Sequence, residues 1–260
     1  MHFYKYQGTG NDFILIDNRS KVFDIKRRDL VKKLCDRRFG IGADGLMLLQ
    51  NTSGYDFEMV YYNSDGNPSS MCGNGGRCIA NFAHRLGIVK NKTKFLAIDG
   101  AHEAIIEKDI VKLKMNDVSS VETGNDHYFL NTGSPHYVKF VNDTAKLNVF
   151  EEGRKVRYSE RFKAEGTNVN FVEKQDGKIV VRTYERGVEA ETLSCGTGVT
   201  ASALIARLTR VATADEYCEV KTPGGNLIVR FKKGANNTFT DIWLEGSAEF
   251  VFEGEVETGA

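Results

Sequence analysis

The sequence predicts an α+β protein built from two copies of one sheet-rich unit, and three observations carry that prediction. First, two cysteine motifs repeat: Met71-Cys-Gly-Asn-Gly-Gly-Arg-Cys and Ser194-Cys-Gly-Thr-Gly-Val-Thr-Ala, with 123 residues between Cys72 and Cys195. A second pair, Gly8-Thr-Gly-Asn-Asp-Phe and Asn131-Thr-Gly-Ser-Pro-His, aligns Gly10 with Gly133 at the same spacing. Two weak matches at one offset point to a duplicated unit. Second, both halves are rich in short apolar or alternating runs bounded by turn residues. Third, each of the two cysteines stands just ahead of a helix-period apolar stripe.

Taken in chain order, Phe13-Ile-Leu-Ile-Asp, Leu46-Met-Leu-Leu, Phe57-Glu-Met-Val-Tyr-Tyr and Ala104-Ile-Ile-Glu read as strands of the first half. Asp24 to Phe39 reads as a mostly amphipathic helix. Beyond Cys72, the positions Cys78, Ile79, Phe82, Ala83 and Leu86 fall on one helical face, and Gly87 stops the helix. The polar stretch Met115-Asn-Asp-Val-Ser-Ser suits a joint between the copies. In the second half Lys178-Ile-Val-Val-Arg-Thr-Tyr, Leu227-Ile-Val-Arg-Phe and Ile242-Trp-Leu read as strands, and Ala201, Leu204, Ile205 and Leu208 mark the helix after Cys195. The expected boundaries are 1–117 and 118–247, with a tail of about 248–260 returning to the first half.

A helix start presents unpaired backbone N–H groups and the positive end of the helix dipole. A cysteine placed there is stabilised as thiolate, and the same N–H groups can hold a carboxylate that flanking glycines allow to come close. One such site could serve as a simple nucleophile or base. Two, related by duplication, suit the inversion of an amino-acid α-carbon, in which one thiolate removes a proton and an opposing thiol supplies one. Helix starts aimed at the carboxylate would stabilise the carbanion. The bland alternatives are core packing, which is the expectation for Cys35, Cys78 and Cys218, and a redox disulfide between Cys72 and Cys195. Zinc is disfavoured because Cys72 and Cys78 lack Cys-x-x-Cys spacing and no histidine pair stands near. Neither glycine-rich loop is a phosphate or dinucleotide fingerprint.

Composition narrows the setting. Of 260 residues, 35 are Lys or Arg and 35 are Asp or Glu, so nothing in the net charge of zero calls for nucleic acid or an anionic membrane as partner. Five cysteines are too few for a disulfide scaffold and leave an odd thiol. No run approaches the roughly 18 apolar residues of a membrane span, and Met1-His-Phe-Tyr-Lys-Tyr-Gln-Gly lacks a signal-peptide layout. The expectation is a cytoplasmic protein with reduced thiols.

Over nearly its whole length the chain resembles the diaminopimelate epimerases. The resemblance is carried by Gly8-Thr-Gly-Asn-Asp-Phe, Gly40-Ile-Gly-Ala-Asp-Gly, Asn63-Ser-Asp-Gly, Met71-Cys-Gly-Asn-Gly-Gly-Arg-Cys, Tyr184-Glu-Arg-Gly, Ser194-Cys-Gly-Thr-Gly and Pro223-Gly-Gly. It implies two similar domains, each a mostly antiparallel sheet wrapped around a central helix, with the active site between them. It implies interconversion of LL- and meso-diaminopimelate for lysine and peptidoglycan precursors, by a homodimer that uses neither pyridoxal phosphate nor metal. By position, Cys72 and Cys195 are the acid–base pair. Gly73, Asn74, Gly196 and Thr197 hold the reacting carboxylate through backbone N–H groups. Asn11, Asn63, Asn168 and Arg186 read the distal end of the substrate, Arg186 with bidentate geometry. Glu185 accepts from an ammonium, and Glu185 and His136 tune the cysteines. Two positions depart from the pattern. Ser134 stands where many members have Asn, giving a hydroxyl contact of shorter or water-mediated reach, and Gly45 stands where some have Gln.

The nearest rival is a proline or hydroxyproline racemase of the same fold, but these typically carry His where this chain has Asn74. The phenazine-biosynthesis isomerases lack the paired cysteines. A non-catalytic thiol redox or ligand-binding protein is the rival from another class.

Overall fold

The computed structural model describes residues 1–212 and 214–258. The chain forms two compact units, Met1–Leu113 joined by the stretch from Gly246 onward, and Lys114–Glu245.

The first unit contains β1 (His2–Gly8), β2 (Asn11–Asp17), α1 (Arg28–Cys35), β3 (Gly45–Gln50), β4 (Phe57–Asn63), α2 (Gly73–Arg85), β5 (Lys92–Ala97), β6 (Gly100–Glu107) and β7 (Ile110–Lys114). Its ladder runs antiparallel from β1 to β2, parallel to β3, antiparallel to β4, parallel to β5, then antiparallel to β6 and β7. The parallel steps are where the helices fall, because two parallel neighbours need a crossover and α1 and α2 supply it. The second unit contains β8 (Glu122–Thr123), β9 (Tyr128–Asn131), β10 (Pro135–Phe140), α3 (Val149–Arg157), β11 (Asn168–Gln175), β12 (Lys178–Glu185), β13 (Ala190–Thr192), α4 (Gly196–Leu208), β14 (Tyr217–Thr222), β15 (Gly225–Lys233) and β16 (Phe239–Ser247). From β9 through β10, β11, β12, β14, β15 and β16 the ladder repeats the same order of antiparallel and parallel steps. The chain re-enters the first unit at Gly246, and β17 (Glu249–Glu255) pairs antiparallel with β1.

The sheet of each unit curls around one helix. α2 packs against β1, β2, β3, β6 and β17, and α4 packs against β9, β10, β11, β12, β14 and β15. Five strand spacings of about 4.8 Å put the outer strands of a flat sheet roughly 24 Å apart, too far for a helix about 10 Å across to touch both. Curling is therefore required. Strands next to these helices are buried on both faces, which is why Phe13-Ile-Leu-Ile and Leu46-Met-Leu-Leu read as unbroken apolar runs. On the other face α1 seats Leu30, Val31 and Leu34 against Ile14, Ile16, Leu46 and Leu48. In the second unit Val149 of α3 joins a core of Tyr137, Val169, Phe171 and Tyr184.

The first helix is shorter than the expected Asp24–Phe39. Both ends are taken over by aspartates that bond nearby backbone instead. Asp24 accepts from the Lys26 N–H, and Asp36 accepts from those of Arg38 and Phe39. α2 ends as its sequence predicts: Gly87, at φ +70°, donates to the His84 carbonyl while Ile88 donates to that of Ala83. No helix among the described residues is long and apolar enough to cross a membrane.

Candidate active site

In the first unit the site is built from the β1–β2 hairpin and the start of α2. Cys72 is the N-cap of α2, in extended backbone, and its Sγ accepts the Gly75 N–H at 3.2 Å. Sulfur thus occupies the place usually taken by a serine or aspartate oxygen. Asn11, the first residue of β2, is oriented by its amide N–H bond to Asp44. Its Oδ1 accepts from Asn74 Nδ2 at 3.4 Å and lies 3.9 Å from Cys72 Sγ, with the thiol as donor. The structure therefore brings together Asn11, Cys72 and Asn74. Asn63, at the end of β4, lies opposite Gly45 in the β3–β4 ladder, and its backbone N–H bonds the Asn67 carbonyl. A Cβ at Gly45 would stand 2.5 Å from Tyr61 Cε2 and 2.6 Å from the Tyr62 carbonyl oxygen. Tyr61 fills the space that a longer side chain would need.

One turn into α2 lies Arg77, completely buried. Its guanidinium donates to the Gly73 carbonyl at 3.2 Å, Asn74 Oδ1 at 3.2 Å, Thr9 Oγ1 at 2.9 Å and the Ser247 carbonyl at 3.3 Å. All four partners are neutral. Burial pulls its pKa down, while the fields of Cys78 and Cys72 oppose that. Thr9 holds its part of this network at φ +51°, a left-handed conformation costly for a β-branched residue.

In the second unit Cys195 is the N-cap of α4, 7 % exposed, with Sγ 3.5 Å from Thr197 Oγ1. The Thr197 carbonyl accepts from Thr132 Oγ1 at 2.9 Å. At the position equivalent to Arg77 stands Thr200, whose hydroxyl bonds the Gly196 carbonyl at 2.9 Å. Asn168 and His136 face each other in the β10–β11 ladder. Asn168 donates to Ser134 Oγ at 2.9 Å and to the Pro135 carbonyl at 3.1 Å, and its Oδ1 accepts the Arg186 backbone N–H at 2.9 Å. Ser134, Asn168 and Arg186 are therefore one cluster. The Arg186 side chain donates to the Glu165 carbonyl at 2.9 Å, and Glu185 Oε2 accepts from Thr192 Oγ1 at 3.0 Å. His136 is completely buried and bonded through Nδ1 to Asn170. Burial, aided by the Arg186 charge, pushes its imidazole down to about 3, so it is neutral at physiological pH.

The three remaining cysteines are buried, and burial raises the pKa of each, to about 12 for Cys35 and Cys218. That is the signature of inert packing thiols. Among the described residues no group of three His, Cys, Asp or Glu side chains is placed to hold a metal. Sequence reasoning missed Arg77, Thr9, Asn170 and Thr132. The threonines carried a usable signal, since Thr9 and Thr132 share the 123-residue offset.

Solved structures of low identity define the fold class. A PhzF-family phenazine biosynthesis protein from Bacillus anthracis superposes with a TM-score of 0.75 at 15 % identity, over 99 % of each chain. A hydroxyproline epimerase from Agrobacterium vitis gives 0.70 at 12 % identity, over 98 % of this chain and 91 % of that one. The two-unit fold is thus that of the PhzF proteins and the proline-type epimerases. Sequence goes further. The family model for diaminopimelate epimerase matches twice, over residues 3–125 and 128–251. The diaminopimelate epimerase of Flavobacterium psychrophilum is 54 % identical over 255 residues, 97 % of this chain and 99 % of that protein. That of Aquifex aeolicus is 39 % identical over 276 residues, 98 % of each. The chain belongs to the diaminopimelate epimerase family.

Proposed function

We infer that the chain does what its family name states: it is an isomerase of lysine biosynthesis that interconverts the LL and meso forms of diaminopimelate. The observation that carries this reading is the pair of helix starts, each capped by a cysteine and each inside a sheet of the same topology. In the proposed mechanism one cysteine, as thiolate, removes the α-proton, and the other, as thiol, returns a proton to the opposite face. The roles exchange in the reverse direction. The N–H groups of Gly73, Asn74, Gly196 and Thr197 stand at the positive ends of the two helices, and they hold the reacting carboxylate as negative charge develops beside it. The buried Arg77 cation adds to the positive potential at the Cys72 end.

At the distal end, Arg186 binds the carboxylate and Glu185 the ammonium, with Asn11 and Asn63 completing the contacts. Ser134 Oγ accepts a hydrogen bond from Asn168, and its own hydroxyl proton is turned to the substrate. Asn168 acts mainly by holding Ser134 and the Arg186 backbone. His136 and Glu185 set the behaviour of the thiols, His136 as a neutral donor. The reaction proceeds without pyridoxal phosphate or metal, in a cytoplasmic homodimer that has no nucleic-acid or membrane partner.

The test is solvent exchange. Reduced protein given LL-diaminopimelate in deuterium oxide should incorporate deuterium at the α-carbon, whereas L-proline in a parallel reaction should stay unlabelled. Labelling of proline alone would assign the chain to the rival racemase class. No labelling of either would end the epimerase reading. Sedimentation of the same sample tests the dimer.

A further inference from the structure

A buried polar line crosses three neighbouring strands of the second unit, from His136 on β10 through Asn170 on β11 to Thr183 on β12. Asn170 is fully buried, and its orientation is fixed by its surroundings. The Tyr137 carbonyl can only accept a hydrogen bond, and it lies 2.9 Å from the amide, so Nδ2 faces it. The same Nδ2 lies 3.1 Å from His136 Nδ1, while Oδ1 accepts from Thr183 Oγ1 at 3.0 Å. A donor that faces Nδ1 requires a lone pair there. The ring proton is then on Nε2, which is buried and has no hydrogen-bond partner among the described residues. A buried donor without an acceptor is unfavourable, and this one lies beside the first turn of α4. A Cβ on Gly198 would stand 2.3 Å from Asn170 Oδ1 and 3.3 Å from His136 Cε1.

We propose that Asn170 is a positioning residue for the reaction: it selects the His136 tautomer whose proton sits on Nε2, so that a neutral imidazole presents a donor beside the helix start that carries Cys195. The proposal rests on the reading of Cys195 as one of the two acid–base groups. No proton need leave the ring. Its role is to stabilise negative charge at the helix start that carries Cys195, and a wrong tautomer would present a lone pair instead.

The experiment reads the tautomer and the kinetics separately. In the full-length protein labelled with nitrogen-15 histidine, the His136 ring should show a protonated Nε2 and an unprotonated Nδ1 at neutral pH. In Asn170→Asp the carboxylate accepts from Nδ1–H, so the pattern should invert, and kcat should fall about 10- to 100-fold with KM within about threefold. Thr183→Val keeps the Tyr137 carbonyl as the orienting group, so it should keep the tautomer and most of kcat. If Asn170→Asp does not fold, Asn170→Ala should lose the strict preference for the Nε2–H form. Protonated Nδ1 in the wild type would overturn the assignment outright. An inverted tautomer with unchanged kcat would overturn the positioning role. Wild-type protein that shows the expected tautomer but no deuterium exchange would fail the epimerase reading, and the catalytic role with it, while the tautomer result stands.

Discussion

The two cysteine-bearing helix starts share a topology and differ in what lies around them. Within the first turns of α2 is a buried cation, Arg77, held by neutral partners; beside the first turn of α4 is a buried neutral imidazole, His136, held by a neutral amide. Cys72 Sγ caps its helix through the Gly75 N–H, and Cys195 Sγ lies against a threonine hydroxyl. The same ladder order thus occurs twice, and the side chains around the two helix starts differ. A reaction with unlike substrate ends and one α-carbon to invert has no need of identical halves, only of two helix starts.

The comparison breaks most decisively at the thiols. Cys72→Ala and Cys195→Ala should each lower epimerisation by about 10³-fold or more, measured by deuterium exchange, because each removes one of the two proposed proton carriers. If either variant retained wild-type turnover, the two starts would not be partners in one reaction.

The buried imidazole should show in stability against pH. The unfolded chain protonates His136 below about 6.5, whereas the folded one resists until about 3. The unfolded state therefore binds more protons in that window, and stability falls as pH drops through it. Between pH 6.5 and 4.5 the loss should be about 2 kcal/mol, read from urea unfolding. In His136→Phe that pH-dependent loss should vanish. Carboxylates held low, such as Asp12 at about 2 beside Arg37 and Lys5, act below this window.

Equivalent glycines sharpen the contrast. A Cβ at Gly198 would meet Asn170 Oδ1 at 2.3 Å, whereas one at Gly75 would meet Cys72 Sγ at 3.2 Å and Met47 Sδ at 3.3 Å. Gly198→Ala should destabilise by about 2 kcal/mol, and Gly75→Ala by under about 1 kcal/mol, since overpacking against a fixed amide cannot relax as a flexible methionine can. Thermal melts of the pair test the ranking.

Arg77→Met should raise the pH at which Cys72 alkylates by about one unit, with Cys195 unchanged, because a nearby unit charge favours the thiolate. Mass spectrometry that resolves the two cysteines provides the readout. Equal shifts at both would remove the electrostatic distinction drawn above. The smallest effect belongs to Cys218→Ala. It should cost about 1 kcal/mol of packing and leave deuterium exchange intact.

How much of this was legible follows from what each residue contacts. Strands buried on both faces announced themselves as apolar runs, and the two cysteines were visible because glycines and a helical stripe follow each. The Asp24–Phe39 helix was overread, because amphipathic spacing says nothing about aspartates that compete for backbone N–H groups at its ends. Arg77 was invisible for a different reason. A mid-helix arginine next to an apolar stripe reads as a solvent-facing residue, and only the curling of the sheet around α2 buries it. Asn170 likewise reads as an ordinary strand polar residue until Tyr137, Thr183 and His136 surround it.

By itself the sequence carried the internal repeat, the strand-rich class and the family, and it singled out the two thiols proposed to react, because repeats, periodicity and motif spacing are properties of the chain alone. Tertiary structure decided what stands behind each thiol. Whether a side chain is charged or neutral, donor or acceptor, depends on water exclusion and on partners far away in the chain, and no local pattern encodes either.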